Sequence, residues 1–378
     1  MAALPAFFVV QVAFAPLPPL CVRALSGIEV ETSVGEASAF RMTFDLSRTA
    51  LGGFDATAVD IFRPPTPIRI SVALGSPLPQ TLINGYVSQA EFDGSGEPGG
   101  STLSVVGMDA LGSVMALREE PTVWPNLPDS EVARVIFARH GIVPSGVIPT
   151  PPTRTQLDTT TTQRVSDARY LHQLAERHGN ELFVQPDPVV GLDQGYFRPP
   201  APMQPPQGIL SMDFGVASNL TRFRADNAML RPTGVSASAT EPRSRAPIPG
   251  MAPVATEPPM GLEPTLTRIL PPPVERPAST DAANPAETQL RAQARANETS
   301  RALRASGEVD GLKFRRPLMV GRPVLVRGVG RQMSGLWYVT HVTHRIDTDG
   351  CDQSFRAWRN AVGLTGAEVF VDPLAAAG

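Results

Sequence analysis

Two stretches of this chain bring reactive side-chain types together: Arg139-His140-Gly141 and Arg177-His178-Gly179-Asn180. An imidazole beside a guanidinium can accept a phosphoryl group, chemistry that needs the histidine at a strand end with arginines around it. Both tripeptides instead close helical patterns, where a basic last turn complements the helix dipole and glycine takes the left-handed position. The helix-end reading is preferred. His341 and His344 suggest a metal pair, but three residues apart on a strand they point to opposite faces and cannot chelate one ion together. Asp45, Asp60 and Asp109 are scattered among strand ends and turns, with no paired spacing for a hydrolase. Gly94-Ser95-Gly96 reads as a turn, without the strand–helix context of a phosphate cradle. Cys21 and Cys351 are too few for a disulfide framework or a four-ligand zinc site. No catalytic, cofactor-binding or metal-binding residue is assigned, and no cofactor is expected.

The composition narrows the class of protein. With 33 basic and 36 acidic residues in 378, the net charge of −3 gives no sign of a nucleic-acid or polybasic membrane binder. A hydrophobic share of 42% supports sizeable cores, and the length allows two or three domains. The 40 prolines amount to about 11%, twice the usual share. Lys313 is the single lysine. Collagen, coiled coil, metal knuckle and disordered chain are excluded. The apolar run at 6–15 lacks a basic leader, since the first basic residue is Arg23, and it is too short to span a bilayer. It is read as a buried first β-strand, with no later membrane span and folding in the cytoplasm.

Period-two alternation sets out the strands. Ile28, Val30, Thr32 and Val34 oppose Glu29, Glu31 and Ser33, and Phe40, Met42, Phe44 and Leu46 oppose Arg41, Thr43 and Asp45. The pattern returns at 68–74, and further strands are expected at 82–92 and 101–107, joined by a Gly-rich turn. Residues 128–185 switch to helical spacing. Asp129 is the expected N-cap of a helix bearing Val132, Val135 and Ile136 on one face. A second helix starts at Ser166 or Asp167, carries Leu171, Leu174 and Ala175, and stops at Gly179, before a strand at 181–184. Pro-rich stretches at 186–206 and 241–280 are expected to be loops or stiff connectors. Asn284, Pro285 and Glu287 open a helix expected to run to Gly307. Strands resume over 317–358.

The later strands echo the earlier ones. Pro67-Ile68-Arg69-Ile70 leads through a loop to Tyr86-Val87, and Pro323-Val324-Leu325-Val326 leads through a loop to Tyr338-Val339. The Pro-to-Tyr spacings are 19 and 15 residues, so the loops differ by four. Either two β-hairpins are alike by chance, or one chain carries two copies of one barrel unit. The duplicated reading gives a mainly β protein with an α+β insert, and a family resemblance carried by motifs along the chain implies that the two antiparallel β-barrels are tube-like, with a small α/β domain beside them. The first barrel is placed at 1–120, the insert at 121–185, a Pro-rich linker at 186–206, and the second barrel at 207–240 and 307–362. A Pro-rich loop at 241–283, a long helix at 284–306 and a tail at 363–378 complete the division.

The segment from Gly321-Arg322-Pro323 to Ser334-Gly335-Leu336-Trp337-Tyr338-Val339-Thr340-His341-Val342-Thr343-His344 resembles the phage late control D family, which are tail baseplate hub proteins related to the N-terminal part of type VI secretion spike proteins. Ser166 to Asn180 resembles that family's second-helix signature, and Leu127-Pro128-Asp129-Ser130-Glu131-Val132 its first-helix entry. Gly85-Tyr86-Val87 and Gly107-Met108-Asp109-Ala110-Leu111 fit its first barrel. These matches spread over about residues 25–360, outside the Pro-rich stretches.

The resemblance implies a homotrimer whose six similar barrels adapt a six-fold tail tube to a three-fold spike. The implied setting is a contractile phage tail or a phage-tail-like injection system. Rings of this kind close by strand pairing through exposed sheet edges, and obligate interfaces commonly bury about 2,000 Å² or more. The implied partners are other copies of the chain, the tail tube protein, a spike protein and other baseplate proteins, without specific nucleic-acid binding or a membrane span. Assembly is expected in the bacterial cytoplasm, within a particle baseplate. Only 23 residues follow Phe355, too few for a needle or lysozyme-like domain, so the spike is expected to be a separate protein. The competing reading is a hydrolase, either histidine phosphatase-like through His178 or a cell-wall-degrading tail-tip enzyme.

Overall fold

The computed structural model describes residues 7–48, 54, 61–76, 78–97, 99–119, 121–151, 161–228, 230–240, 245–268, 271–277, 282, 284–347 and 350–370. Asp60 and the last eight residues of the expected tail, 371–378, lie outside these. The protein is mainly β, with 45% of residues in strands and 17% in helices.

In chain order, strands β1 (Phe7–Val12), β2 (Leu25–Ser33), β3 (Ala39–Leu46), β4 (Pro67–Ala73), β5 (Gln80–Asp93) and β6 (Ser101–Met108) form the first unit. Their alternation puts Val30, Phe40, Met42, Phe44, Ile70 and Val105 into one core. β1 is half-buried rather than buried. Val10 and Val12 face the core and Phe7 is 42% exposed, because β1 covers only the outer side of β4.

Helix α1 (Asp129–Arg139), strand β7 (Val143–Val147), helix α2 (Asp167–His178) and strands β8 (Glu181–Pro186) and β9 (Asp193–Arg198) form the insert. β8 and β9 pair antiparallel, and β9 takes β7 in parallel. The two helices share a core of Ile136, Phe137, Leu171, Leu174 and Phe197. Pro128, not Asp129, is the N-cap of α1, since the Asp129 carboxylate is drawn to a partner across the insert. Val135 is exposed, and Ala133 and Phe137 take the buried face with Val132 and Ile136. Gly179 ends α2 with φ +64°, as its sequence position requires.

The second unit contains β10 (Ile209–Ser211), β11 (Leu220–Asn227), β14 (Leu303–Asp310), β15 (Arg322–Arg327), β16 (Gly335–Asp347) and β17 (Cys351–Arg359). Between β11 and β14 lie β12 (Gly234–Thr240), β13 (Pro247–Ala252) and helix α3 (Pro285–Ser300). Asn284 caps α3 by accepting from the Glu287 amide at 2.9 Å. The helix stops at Ser300, six residues before the expected end. Leu303, Ala305, Gly307 and Val309 alternate at period two, and their backbone is taken by β11 on one side and β17 on the other. Two expected connectors also hold strands. β9 lies in 186–206, and β13 lies in 241–283. β13 is an edge strand, where proline costs no ladder bond on the outer side. Its Ile248, Gly250 and Ala252 are buried, and a Cβ on Gly250 would meet the Thr288 backbone at 2.8 Å.

Both units belong to one 13-stranded sheet, whose main path runs β11-β14-β17-β16-β2-β3-β6-β5-β4-β1. No helix among the described residues is long and apolar enough to cross a membrane.

Candidate assembly interface

The echo read from the sequence is a structural repeat in register. Pro67 lies opposite Tyr86 and Tyr86 opposite Met108, while Pro323 lies opposite Tyr338 and Tyr338 opposite Trp358. The ladder between β5 and β6 skips one residue between Val87 and Gln89, and the ladder between β16 and β17 skips one between Val339 and His341. These irregularities fall at the same distance from the two tyrosines. A third pair agrees, because β2 shifts against β3 between Leu25 and Gly27, and β11 against β14 between Leu220 and Arg222. A bulge bends its strand and is a built feature of a ladder, so matching bulges mark matching units.

The units meet through a half-strand. β16 gives its first half, up to Val339, to β15, and its second half, His341 to Asp347, to β2. Across this junction Arg345 Nε lies 3.3 Å from Glu29 Oε1, and His341 Nε2 lies 2.9 Å from Glu31 Oε1. Thr343, between them, is buried. In the first unit, β5 likewise gives its first half to β4. Its second half, Gln89 to Asp93, has β6 on one side and no strand on the other among the described residues. β11, the counterpart of β2, ends the sheet path and likewise has no strand on its outer side among the described residues. Both open edges are rich in exposed side chains: Gln89, Glu91, Phe92 and Asp93 on one, Arg222, Arg224 and Asp226 on the other.

The two Arg-His-Gly tripeptides form a reciprocal clamp. Arg177 Nη1 and His178 Nε2 reach Asp129 Oδ2 at 2.7 and 2.8 Å, so the end of α2 holds the start of α1. Arg139 Nη1 and His140 Nε2 reach Asp167 Oδ2 at 3.2 and 2.8 Å, so the end of α1 holds the start of α2. Burial pushes both carboxyls up, but the hydrogen bonds from His178 and Gln163 first, then the flanking cations, bring each net below the usual carboxylate range. Arg177 also touches Glu287 of α3 at 3.2 Å, tying the insert to the second unit's helix. Each helix carries its aspartate ten residues before its Arg-His pair, a spacing present in the sequence. Both imidazoles are occupied by aspartates, which is not the strand-end setting a phosphate-accepting histidine requires.

The remaining chemistry-bearing residues stay apart. Asp45 accepts from Ser26 Oγ at 3.1 Å. Asp109 accepts from the Ser38 and Gly112 amides at 2.9 and 3.0 Å, and burial raises its carboxyl to about 6. His344 faces the core, and burial lowers its imidazole to about 4, whereas His341 lies on the opposite, polar face. Among the described residues no group of three or more His, Cys, Asp or Glu is placed to hold a metal ion. Glu181, unremarked in the sequence, is buried against the Tyr338 hydroxyl at 2.6 Å, and burial raises it to about 7. Thus the repeat's tyrosine links the second unit to β8 of the insert.

No family model matches the chain, and no curated protein matches it. Solved structures do. A tail protein from Neisseria meningitidis superimposes with a TM-score of 0.65 at 13% identity, covering 94% of this chain and 97% of that one. The 43 kDa tail protein of prophage MuSo2 from Shewanella oneidensis gives 0.63 at 14% identity, covering 94% and 99%. An Escherichia coli component of the type VI secretion system, described as structurally similar to the T4 tail proteins gp27 and gp5, gives 0.56 at 12% identity, covering 93% and 76%. The chain therefore has the fold of phage tail proteins, one also found in a type VI secretion component. The resemblance to tail baseplate hubs drawn from the sequence holds at the level of this fold.

Proposed function

We propose that the chain is a structural baseplate hub of a contractile phage tail or related injection particle. It acts as a homotrimer between a six-fold tail tube and a three-fold spike. The observation that carries this reading is the repeat: two β units with matching registers and bulges in one chain, so that three chains offer six equivalent units. The fold shared with tail proteins over nearly the whole chain supports it. Partners on this reading are the tail tube protein, a separate spike protein and other baseplate components, with assembly in the bacterial cytoplasm. The role is mechanical rather than enzymatic, as the engagement of His140 and His178 by aspartates supports.

Native mass spectrometry and electron microscopy of the purified chain, alone and with its genomic neighbours for tube and spike, test this. A trimer with a pseudo-six-fold ring is expected. A chain that stays monomeric alone and with those neighbours refutes the proposal.

A further inference from the structure

Resting on the trimer reading, we infer which two edges join one copy to the next, and in what register: the second half of β5 in one copy pairs antiparallel with β11 of its neighbour. The internal junction supplies the template. Equating Tyr86 with Tyr338 maps Asp93 onto Arg345 and Phe92 onto His344 along the strands. Equating the bulges of β2 and β11 maps Arg224 onto Glu29 and Ala225 onto Val30. Because Arg345 lies opposite Glu29 and His344 opposite Val30, Asp93 falls opposite Arg224 of the neighbour and Phe92 opposite its Ala225. Glu91 then meets Asp226 and Ala90 meets Asn227.

Three observations favour a second copy as the occupant. First, both edges are free among the described residues, while their counterparts, β16 and β2, are already paired with each other. An open edge of this kind is a template for another strand. Second, the charge pair of the internal junction is kept with its signs exchanged, Arg345–Glu29 inside the chain and Asp93–Arg224 between chains. The like-charged meeting of Glu91 and Asp226 is relieved by Arg304, directly opposite Asp226 on β14. Third, Phe92 is 47% exposed on the open edge, whereas its counterpart His344 is 1% exposed beneath β2. A neighbouring strand carrying Ala225 and Phe223 covers it.

The test uses the full chain. Phe92→Cys with Ala225→Cys is oxidised and run without reductant. Directly opposed residues have Cβ atoms about 4.5–5.5 Å apart, within reach of a disulfide after small adjustment. The native cysteines, Cys21 and Cys351, are both buried. A covalent trimer is expected, with little product from Phe92→Cys with Asn227→Cys, which is two residues out of register. Separately, Asp93→Arg or Arg224→Asp alone is expected to weaken trimer formation at least about tenfold, and the double exchange to restore it. A wild-type trimer whose opposed cysteines fail to link, or whose out-of-register pair links equally well, overturns the inferred edges and leaves the hub reading standing. Covalent products growing past three copies support the edges but refute closure as a trimer. A wild-type chain that never associates overturns both.

Discussion

Neutralising Asp129 should loosen the insert far more than neutralising Asp167, although the two residues occupy the same position in their helices. Asp129→Asn and Asp167→Asn each remove a charge from a first helical turn, so the effect on the helix dipole is shared and cancels in the comparison. What differs is where the partners sit. The side chains of Arg177 and His178 are 9% and 3% exposed, while those of Arg139 and His140 are 33% and 19% exposed. Breaking a buried pair and leaving the partner charge costs about 3–5 kcal/mol. Glu287 still lies 3.2 Å from Arg177, so the lower end, about 3 kcal/mol, is expected for Asp129→Asn. Arg139 and His140 can turn to water, which limits Asp167→Asn to about 1 kcal/mol. Amide hydrogen exchange reads local opening directly, and these costs correspond to roughly 100-fold and 5-fold faster exchange across α1 and α2. Equal acceleration in the two variants, or a larger one for Asp167→Asn, refutes the argument from burial.

Further tests address other groups. His344 has its imidazole lowered to about 4 from 6.5, so its contribution to stability is full above pH 6.5 and is lost as pH falls towards 4. That loss is worth about 3 kcal/mol, and His344→Leu should flatten this part of a pH series of urea midpoints. Glu181 behaves in the opposite sense. Raised to about 7 from 4.5, its contribution is full below pH 4.5 and is lost as pH rises through 7, so Glu181→Gln should remove a decline of similar size over that range in the same series. Gly107→Ala should cost about 1–3 kcal/mol in urea unfolding, since the added Cβ would overlap the Phe40 ring and the Tyr86 carbonyl. A neutral result there would contradict the close approach of Phe40.

Local patterns in the sequence located many of the strands that bury one face. The alternation over 28–46 and the Pro–Tyr echo both map onto ladders, the latter to the very cross-strand pairs. The two family-like glycines, Gly85 and Gly107, lie where the Phe40 ring packs against the backbone, a constraint that a motif match alone does not explain. The structure ends α3 earlier than expected because, although Ala- and Arg-rich sequence over 301–306 suits a helix, Leu303, Ala305, Gly307 and Val309 alternate and the ladders on both sides take their backbone. β13 was hidden by its prolines, which an edge strand tolerates. The junction of β16 with β2 was illegible for a different reason. It joins residues more than 300 positions apart, and nothing in either strand names its partner. The clamp was half visible: the Arg-His-Gly ends were evident, and the equal Asp-to-Arg spacing was present, but only the packing shows that each helix end holds the other's start.

The ion pair between Arg345 and Glu29 also bears on the edge pairing inferred between copies. Were β2 of one copy to land on the open half of β5 in another, Glu29 would confront Asp93. Were β11 to displace β2 from β16, Arg224 would confront Arg345. Each such misassembly would set like charges face to face, whereas the inferred pairing sets Asp93 against Arg224. In the proposed trimer this polarity distinguishes closure within one chain from recruitment of the next copy by the sign of a single exposed pair.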